Sequence, residues 1–142
     1  MATPAYCLSC HMVDDYPAMR GNRIADMRCR KCNAGPGRLA RRGSKLAVQA
    51  ARQALETVRG IGGLCDEHLL TLRRTARMVW PRSEPFTEGD KLLLRELDAL
   101  KLVIYDPARP NVIEPTTTGY RIAWLLDDAM WSPKASQLGG AA

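Results

Sequence analysis

The sequence predicts a mainly helical α+β fold in which a small four-cysteine module precedes a helical half carrying one β-hairpin. Three features predict it: two Cys-x-x-Cys pairs in the first quarter of the chain, helical spacing of apolar residues from residue 44 onward, and two short β-prone runs flanking the turn-rich DPARP. At 142 residues the chain can form one ordinary domain, or a metal module joined to a modest helical domain. The 46% hydrophobic content supports a packed core, but with one Phe, four Tyr and three Trp its volume must come mostly from Leu, Ala, Val and Met.

Cys7/Cys10 and Cys29/Cys32 lie 18 residues apart. Four thiolates converging on one ion at about 2.3 Å per metal–sulfur bond close a tetrahedral site with no position left for substrate. One structural Zn2+ held by Cys7, Cys10, Cys29 and Cys32 is therefore expected. Disulfides are the rival use of these residues, and iron accepts the same ligands. The start MATPAYCLSC has neither a basic lead nor a continuous apolar run, so a reducing, cytoplasmic setting is expected. His11 reads as an ordinary exposed histidine or one that supports a ligand. No run is long enough to span a membrane.

The formal charge of +6 is uneven. Residues 1–45 carry nine Lys/Arg against three Asp/Glu, residues 46–83 six against three, and residues 84–142 six against nine. The first half therefore offers the surface that attracts nucleic-acid phosphates. Its densest run is Arg28, Arg30, Lys31, Arg38, Arg41, Arg42 and Lys45. A metal-stiffened knuckle presents Arg30 and Lys31 from a fixed turn, and phosphate contacts of this kind add affinity without reading a base. The competing reading is a solubilising surface that offsets the negative charge of a four-thiolate site.

The elements follow in order. NAGPGRLARRG reads as an irregular strap after Cys32. Ser44 is the expected N-cap of a helix running to about Arg59, with Leu46, Ala50, Ala54, Leu55 and Val58 as its apolar positions and Gly60, Gly62 and Gly63 as a boundary. A second helix is expected from near Asp66 to before Pro81, with apolar contacts at Leu69, Leu70, Leu72, Ala76, Val79 and Trp80. Arg73, Arg74 and Arg77 form a second basic patch on it, since Arg73 and Arg77 share a face. Cys65 and His68 are close enough in sequence to meet, but no third orienting group is identifiable, so a core or capping role is expected.

Asp90 to Leu100 is expected as a helix buried through Leu92, Leu93, Leu94, Leu97 and Leu100. LVIY and NVIE then make the hairpin. TTTGYRIAWLLDDAMW closes the fold as a helix burying Ile122, Leu125, Leu126 and Ala129, with Gly119 permitting a sharp entry. The expected divisions are a metal module at 1–43, a bridging helix and glycine-rich linker at 44–63, a helical domain at 64–131 and a loose tail at 132–142.

The stretch LLLRELDALKLVIYDPARPNVIEPTTTGYRIAWLL resembles the latter half of a winged-helix domain of bacterial transcription regulators. The resemblance rests on Leu93, Leu97, Leu100, Leu102, Val103 and Ile104, followed by Thr116, Gly119, Ile122 and Leu126. It implies DNA, in preference to RNA, bound by the helix before the wing, with Arg109 as the wing's contact. The candidate helix carries Asp90, Lys91, Arg95, Glu96 and Asp98, which leaves a limited polar face for a groove. CLSC and CRKC likewise resemble a zinc ribbon or zinc knuckle. Together the two halves look like a phage or bacterial regulator.

The expected function is that of a nonenzymatic, nucleic-acid-binding regulator, with a homodimer as one use of the C-terminal half. The alternative is an adaptor or inhibitor that docks on a host enzyme or transcription complex. Enzymatic activity is not expected, because a four-cysteine site is coordinatively full, neither histidine has an evident acid–base partner, and no Walker or dinucleotide motif occurs.

Overall fold

The computed structural model describes residues 2–17, 23–77 and 87–133. Its order is β1 (Ala2–Cys7), β2 (Val13–Pro17), a single 3-10 turn (Ile24–Asp26), β3 (Leu39–Arg41), α1 (Lys45–Gly62), α2 (Asp66–Arg77), α3 (Glu88–Ala99), β4 (Val103–Asp106), β5 (Arg109–Pro115) and α4 (Thr117–Asp128). The fold is mainly helical α+β, with the four cysteines at its N-terminal end and one hairpin between α3 and α4. Val79 and Trp80, expected at the end of the second helix, lie outside the described residues, as does most of the expected tail.

Three strands in the first module were not legible in the sequence. They form an antiparallel sheet in the order β2-β1-β3, with Tyr6 opposite Val13 on one side and Ala40 on the other. Ala5, Tyr6 and Cys7 are all fully buried. Because side chains alternate across a strand, Ala5 and Cys7 join a small cluster with Tyr16, Cys29 and Leu39, while Tyr6 and Ala40 join the main helical core. One strand thus serves two cores. The strap after Cys32 is correspondingly irregular to Arg38, and Leu39–Arg41 within it form β3.

Ser44 caps α1 through its Oγ, which accepts from Ala47 N–H. The helix runs through Gly60 and ends at Gly63, whose left-handed backbone (φ 64°) brings its N–H to the carbonyl of Arg59. Its buried stripe is Ala47, Val48, Ala51 and Leu55, with Ala50, Ala54 and Val58 at its margin. Leu46 is exposed, contrary to expectation. The small side chains on this stripe let α4 pack closely on α1.

Thr87 and Asp90 form a capping box that starts α3. Only Leu94 and Leu97 of the expected leucines are fully buried; Leu92 and Leu100 are exposed, because five leucines in nine positions exceed the width of one helix face. Lys101 turns the chain with a left-handed backbone (φ 61°) into β4. The hairpin is tighter than DPARP suggested: Asp106 pairs with Arg109, and Asp106 Oδ1 accepts from Ala108 N–H. Thr116 caps α4, which buries Ile122, Leu125 and Leu126, followed by Ala129.

Arg42, just after β3, joins the two ends of the chain. Its Nε donates to Oδ1 of Asp128 at 2.8 Å, where the carboxylate is 3% exposed. Burial pushes the Asp128 carboxyl above its ordinary range, and Arg42 opposes that rise. Since the folded chain binds this proton more readily than the unfolded chain, the ionised carboxylate opposes folding at neutral pH, and that penalty fades as pH falls through the folded-state value. Removing the half-exposed guanidinium in Arg42→Ala is expected to cost about 2 kcal/mol at pH 7, below the range for a fully buried pair. Urea unfolding should show a smaller loss near pH 4, and in the double variant with Asp128→Asn. A loss that grows on acidification contradicts this account.

Candidate metal centre and its basic surroundings

The two Cys-x-x-Cys segments fold alike. Cys7 N–H donates to Met12 and Cys29 N–H to Ala34, each five residues on, while His11 and Asn33 N–H return to the carbonyls of Cys7 and Cys29. His11 (φ 61°) and Asn33 (φ 62°) are both left-handed, so each pair is followed by a reversal that aims its two sulfurs the same way. Asn33 suits that conformation locally. At His11, Nδ1 meets the hydroxyl of Tyr6 at 2.5 Å, a contact that anchors the first knuckle on β1.

The sheet and the strap bring the knuckles together. Leu8 N–H donates to Arg38, whose Nε and Nη2 donate to Ser9 Oγ and the Leu8 carbonyl. On the other side Arg30 N–H donates to Tyr16 Oη, and the Arg30 guanidinium lies 5.1 Å from the Tyr16 ring centroid. The sulfurs of Cys7, Cys10, Cys29 and Cys32 consequently all lie within 4.8 Å of one another. Cys7 to Cys32 is 3.8 Å and Cys10 to Cys29 is 3.6 Å.

Those distances discriminate between uses of the sulfurs. A tetrahedron with metal–sulfur bonds of about 2.3 Å has sulfurs about 3.8 Å apart, whereas a disulfide needs about 2.05 Å. The Cys7–Cys32 and Cys10–Cys29 pairs both join opposite knuckles, as shared ligation requires. Ser9 and Cys10 N–H groups point at Cys7 Sγ, and Lys31 N–H points at Cys29 Sγ, so backbone dipoles already favour negative sulfur.

Burial pushes the Cys29 thiol up, but N–H groups of Cys32 and Lys31 and contacts from Cys10 and Tyr16 outweigh it and hold the thiol at about 6. Burial pushes Cys10 up to about 12, against a hydrogen bond to the Met12 backbone, and the neighbouring thiols add to the rise. Four adjacent thiolates repel one another unless a cation discharges them. The arrangement is a candidate metal-binding cluster, and thiols of this kind release protons on binding a divalent ion.

The expected basic residues have different surroundings. Arg28, Arg30, Lys31, Arg41 and Lys45 are exposed around the second knuckle, the end of β3 and the start of α1. Arg38 is exposed but tied to the first knuckle, and Arg42 is held by Asp128. On α2, Arg73 donates to the Trp131 carbonyl and lies over its ring, and Arg77 pairs with Asp127; Arg74 is exposed. Arg109 is exposed at the hairpin turn, across the strand pair from Asp106.

Partnerships between residues far apart in the chain escaped sequence reasoning. Glu96 is the carboxylate partner of His68, so one histidine does have an acid–base partner, 28 residues away in the chain. Asp128 is the partner of Arg42 across 86 residues. Neither pairing leaves a local pattern. Among the described residues no helix is long and apolar enough to cross a membrane. No family model matches the chain, and neither a curated protein nor a solved structure matches it.

Proposed function

We propose that the chain is a nonenzymatic, zinc-stabilised nucleic-acid-binding regulator that acts in the cytoplasm and favours DNA over RNA. The observation that carries this reading is the coupling of charge to the metal cluster: Arg30 and Lys31 are exposed between Cys29 and Cys32, two of the four clustered sulfurs. Zinc suits four thiolates in a closed tetrahedron, because it has no redox chemistry and no geometric demand of its own. Bound there, it fixes the knuckle, so the two cations meet phosphates without a large loss of backbone freedom.

Arg28, Arg41 and Lys45 extend that surface, and Arg38 adds charge from a braced position. Arg42, Arg73 and Arg77 spend part of their bonding capacity inside the chain and contribute less to phosphate capture. Arg74 and Arg109 supply secondary contacts. The sequence of α2, α3, hairpin and α4 supports a winged-helix-like role for the C-terminal half, in orientation or dimerisation. The exposed Tyr120 and Trp124, packed against each other on α4, favour a second reading in which that half docks on a protein.

Charge reversal of both knuckle cations, Arg30→Glu with Lys31→Glu, tests the interface. On a short duplex at about 0.1 M salt, affinity is expected to fall at least about tenfold, and the slope of log K against log salt to become shallower by about 2. Metal content should stay at that of the parent chain. Equal affinity and slope in parent and variant rule out the knuckle as the phosphate-binding surface.

A further inference from the structure

We propose, resting on the nucleic-acid reading above, that Arg30 does more than attract phosphates: its guanidinium is held in position to read guanine, so the basic surface prefers G·C to A·T pairs. Arg30 is exposed between Cys29 and Cys32, and β2 holds it from several directions. Its backbone N–H donates to Tyr16 Oη at 3.1 Å, and its Nη1 donates to the Asp15 carbonyl at 2.9 Å. Its guanidinium lies over the Tyr16 ring, 5.1 Å from the centroid. Tyr16 is itself buried, so the anchor is firm.

These contacts leave one edge of the group open. The Tyr16 ring covers a face of the guanidinium plane, and Asp15 takes a donor on Nη1. The Nε–H and the Nη2–H beside it point the same way along the remaining edge, and among the described residues nothing accepts from them. Two parallel donors match two acceptors in one plane. Nucleic acid offers such a pair in guanine O6 and N7 in the major groove, and in two oxygens of one phosphate. Phosphate capture needs only charge within reach, which the exposed Lys31 supplies on a flexible stem from the next residue. A guanidinium already locked in one plane gains most from directional acceptors, because its side-chain freedom is lost before contact.

Neighbouring arginines show what a structural use of that edge looks like. Arg38 turns it inward, with Nε donating to Ser9 Oγ at 2.8 Å and Nη2 to the Leu8 carbonyl at 3.3 Å, which closes it to a ligand. Arg42 likewise gives its Nε to Asp128. Arg30 has the opposite arrangement: it is braced through Nη1 and the ring, and its paired donors stay available. The carboxylates of β2 do not fill the edge. Asp14 Oδ1 accepts from Asp15 N–H, and the Asp15 side chain projects from the face of the strand opposite Tyr16. The charge of Arg30 still attracts phosphates, so base preference is added to the salt-dependent affinity rather than replacing it.

The test uses the full chain in its metal-loaded form and duplexes of one length: a G·C duplex, an A·T duplex, and the G·C duplex built with 7-deazaguanine, which lacks N7 but keeps its pairing and every phosphate. At about 0.1 M salt the chain is expected to bind the G·C duplex about tenfold more tightly than the A·T duplex, and the 7-deazaguanine duplex like the A·T one. Arg30→Lys keeps the charge and loses the paired donors. It should retain metal content, A·T affinity and salt slope while the G·C preference falls to near parity. Equal binding of all three duplexes by the parent chain, with a steep salt slope, overturns guanine reading and leaves phosphate capture standing. So does a G·C preference that survives 7-deazaguanine or Arg30→Lys. The absence of any salt-sensitive complex overturns the nucleic-acid reading and guanine reading together.

Discussion

Replacing Cys29 with serine is expected to strip the chain of its metal and melt the sheet formed by β1, β2 and β3. Cys29 is buried, its thiol is the most acidic of those held at shifted values in the cluster, and its sulfur is 3.6 Å from that of Cys10. A serine hydroxyl is a poor ligand for a soft thiolate site, and three remaining sulfurs leave the tetrahedron open. Structural zinc contributes on the order of 10 kcal/mol or more to small modules, so loss of one ligand outweighs what the small second cluster can supply. Because Tyr6 and Ala40 also belong to the helical core, the damage spreads to the seat of α1. Metal content should fall from one ion per chain to a small fraction, and the amides of Leu8 and Arg42 should lose protection from hydrogen exchange. One tightly held ion with unchanged protection contradicts the four-sulfur assignment.

A methyl group at Gly119 is expected to have the largest effect in the helical half. An added Cβ lies 1.9 Å from the carbonyl oxygen of Leu102, and contacts under 3.0 Å force something to shift. The obstacle is backbone. That carbonyl accepts Thr116 N–H, which joins the end of α3 to the start of α4, so α4 cannot move by about 1 Å without breaking its own cap. Gly119→Ala should cost about 3 to 5 kcal/mol and lower the melting temperature by about 10 °C or more. Gly60→Ala is the control, since nothing lies within 4 Å of its added Cβ and the residue is inside α1. It should stabilise by about 0.5 to 1 kcal/mol. Equal melting temperatures for the two variants refute the close approach at Gly119.

These glycines show where sequence reasoning reached its limit. Gly119 reads locally as a flexible entry to a helix, whereas its role is set by a carbonyl 17 residues earlier in the chain. Gly60 and Gly62 read as a helix boundary, yet α1 continues through both, and only Gly63 takes a left-handed conformation that stops it. The knuckles were legible because ligand spacing is itself local. Helix starts at Ser44 and near Thr116 were legible because capping side chains act within three residues. The three N-terminal strands were hidden, since β1 splits its residues between two cores and β3 has only three residues. Surplus leucine on α3 hid the true buried pair, Leu94 and Leu97. The cations were legible as a cluster, but Asp127, Asp128 and Trp131, which engage Arg77, Arg42 and Arg73, lie more than 45 residues from their partners.

Native mass spectrometry of the nucleic-acid-free chain, recorded with and without short duplex DNA and RNA across a salt series, tests the central claim most directly. The account predicts one zinc per folded chain and nucleic-acid complexes that dissociate steeply as salt rises, with DNA retained to higher salt than RNA. A chain that folds without metal, or one that carries zinc yet forms no salt-sensitive complex with either nucleic acid, contradicts it.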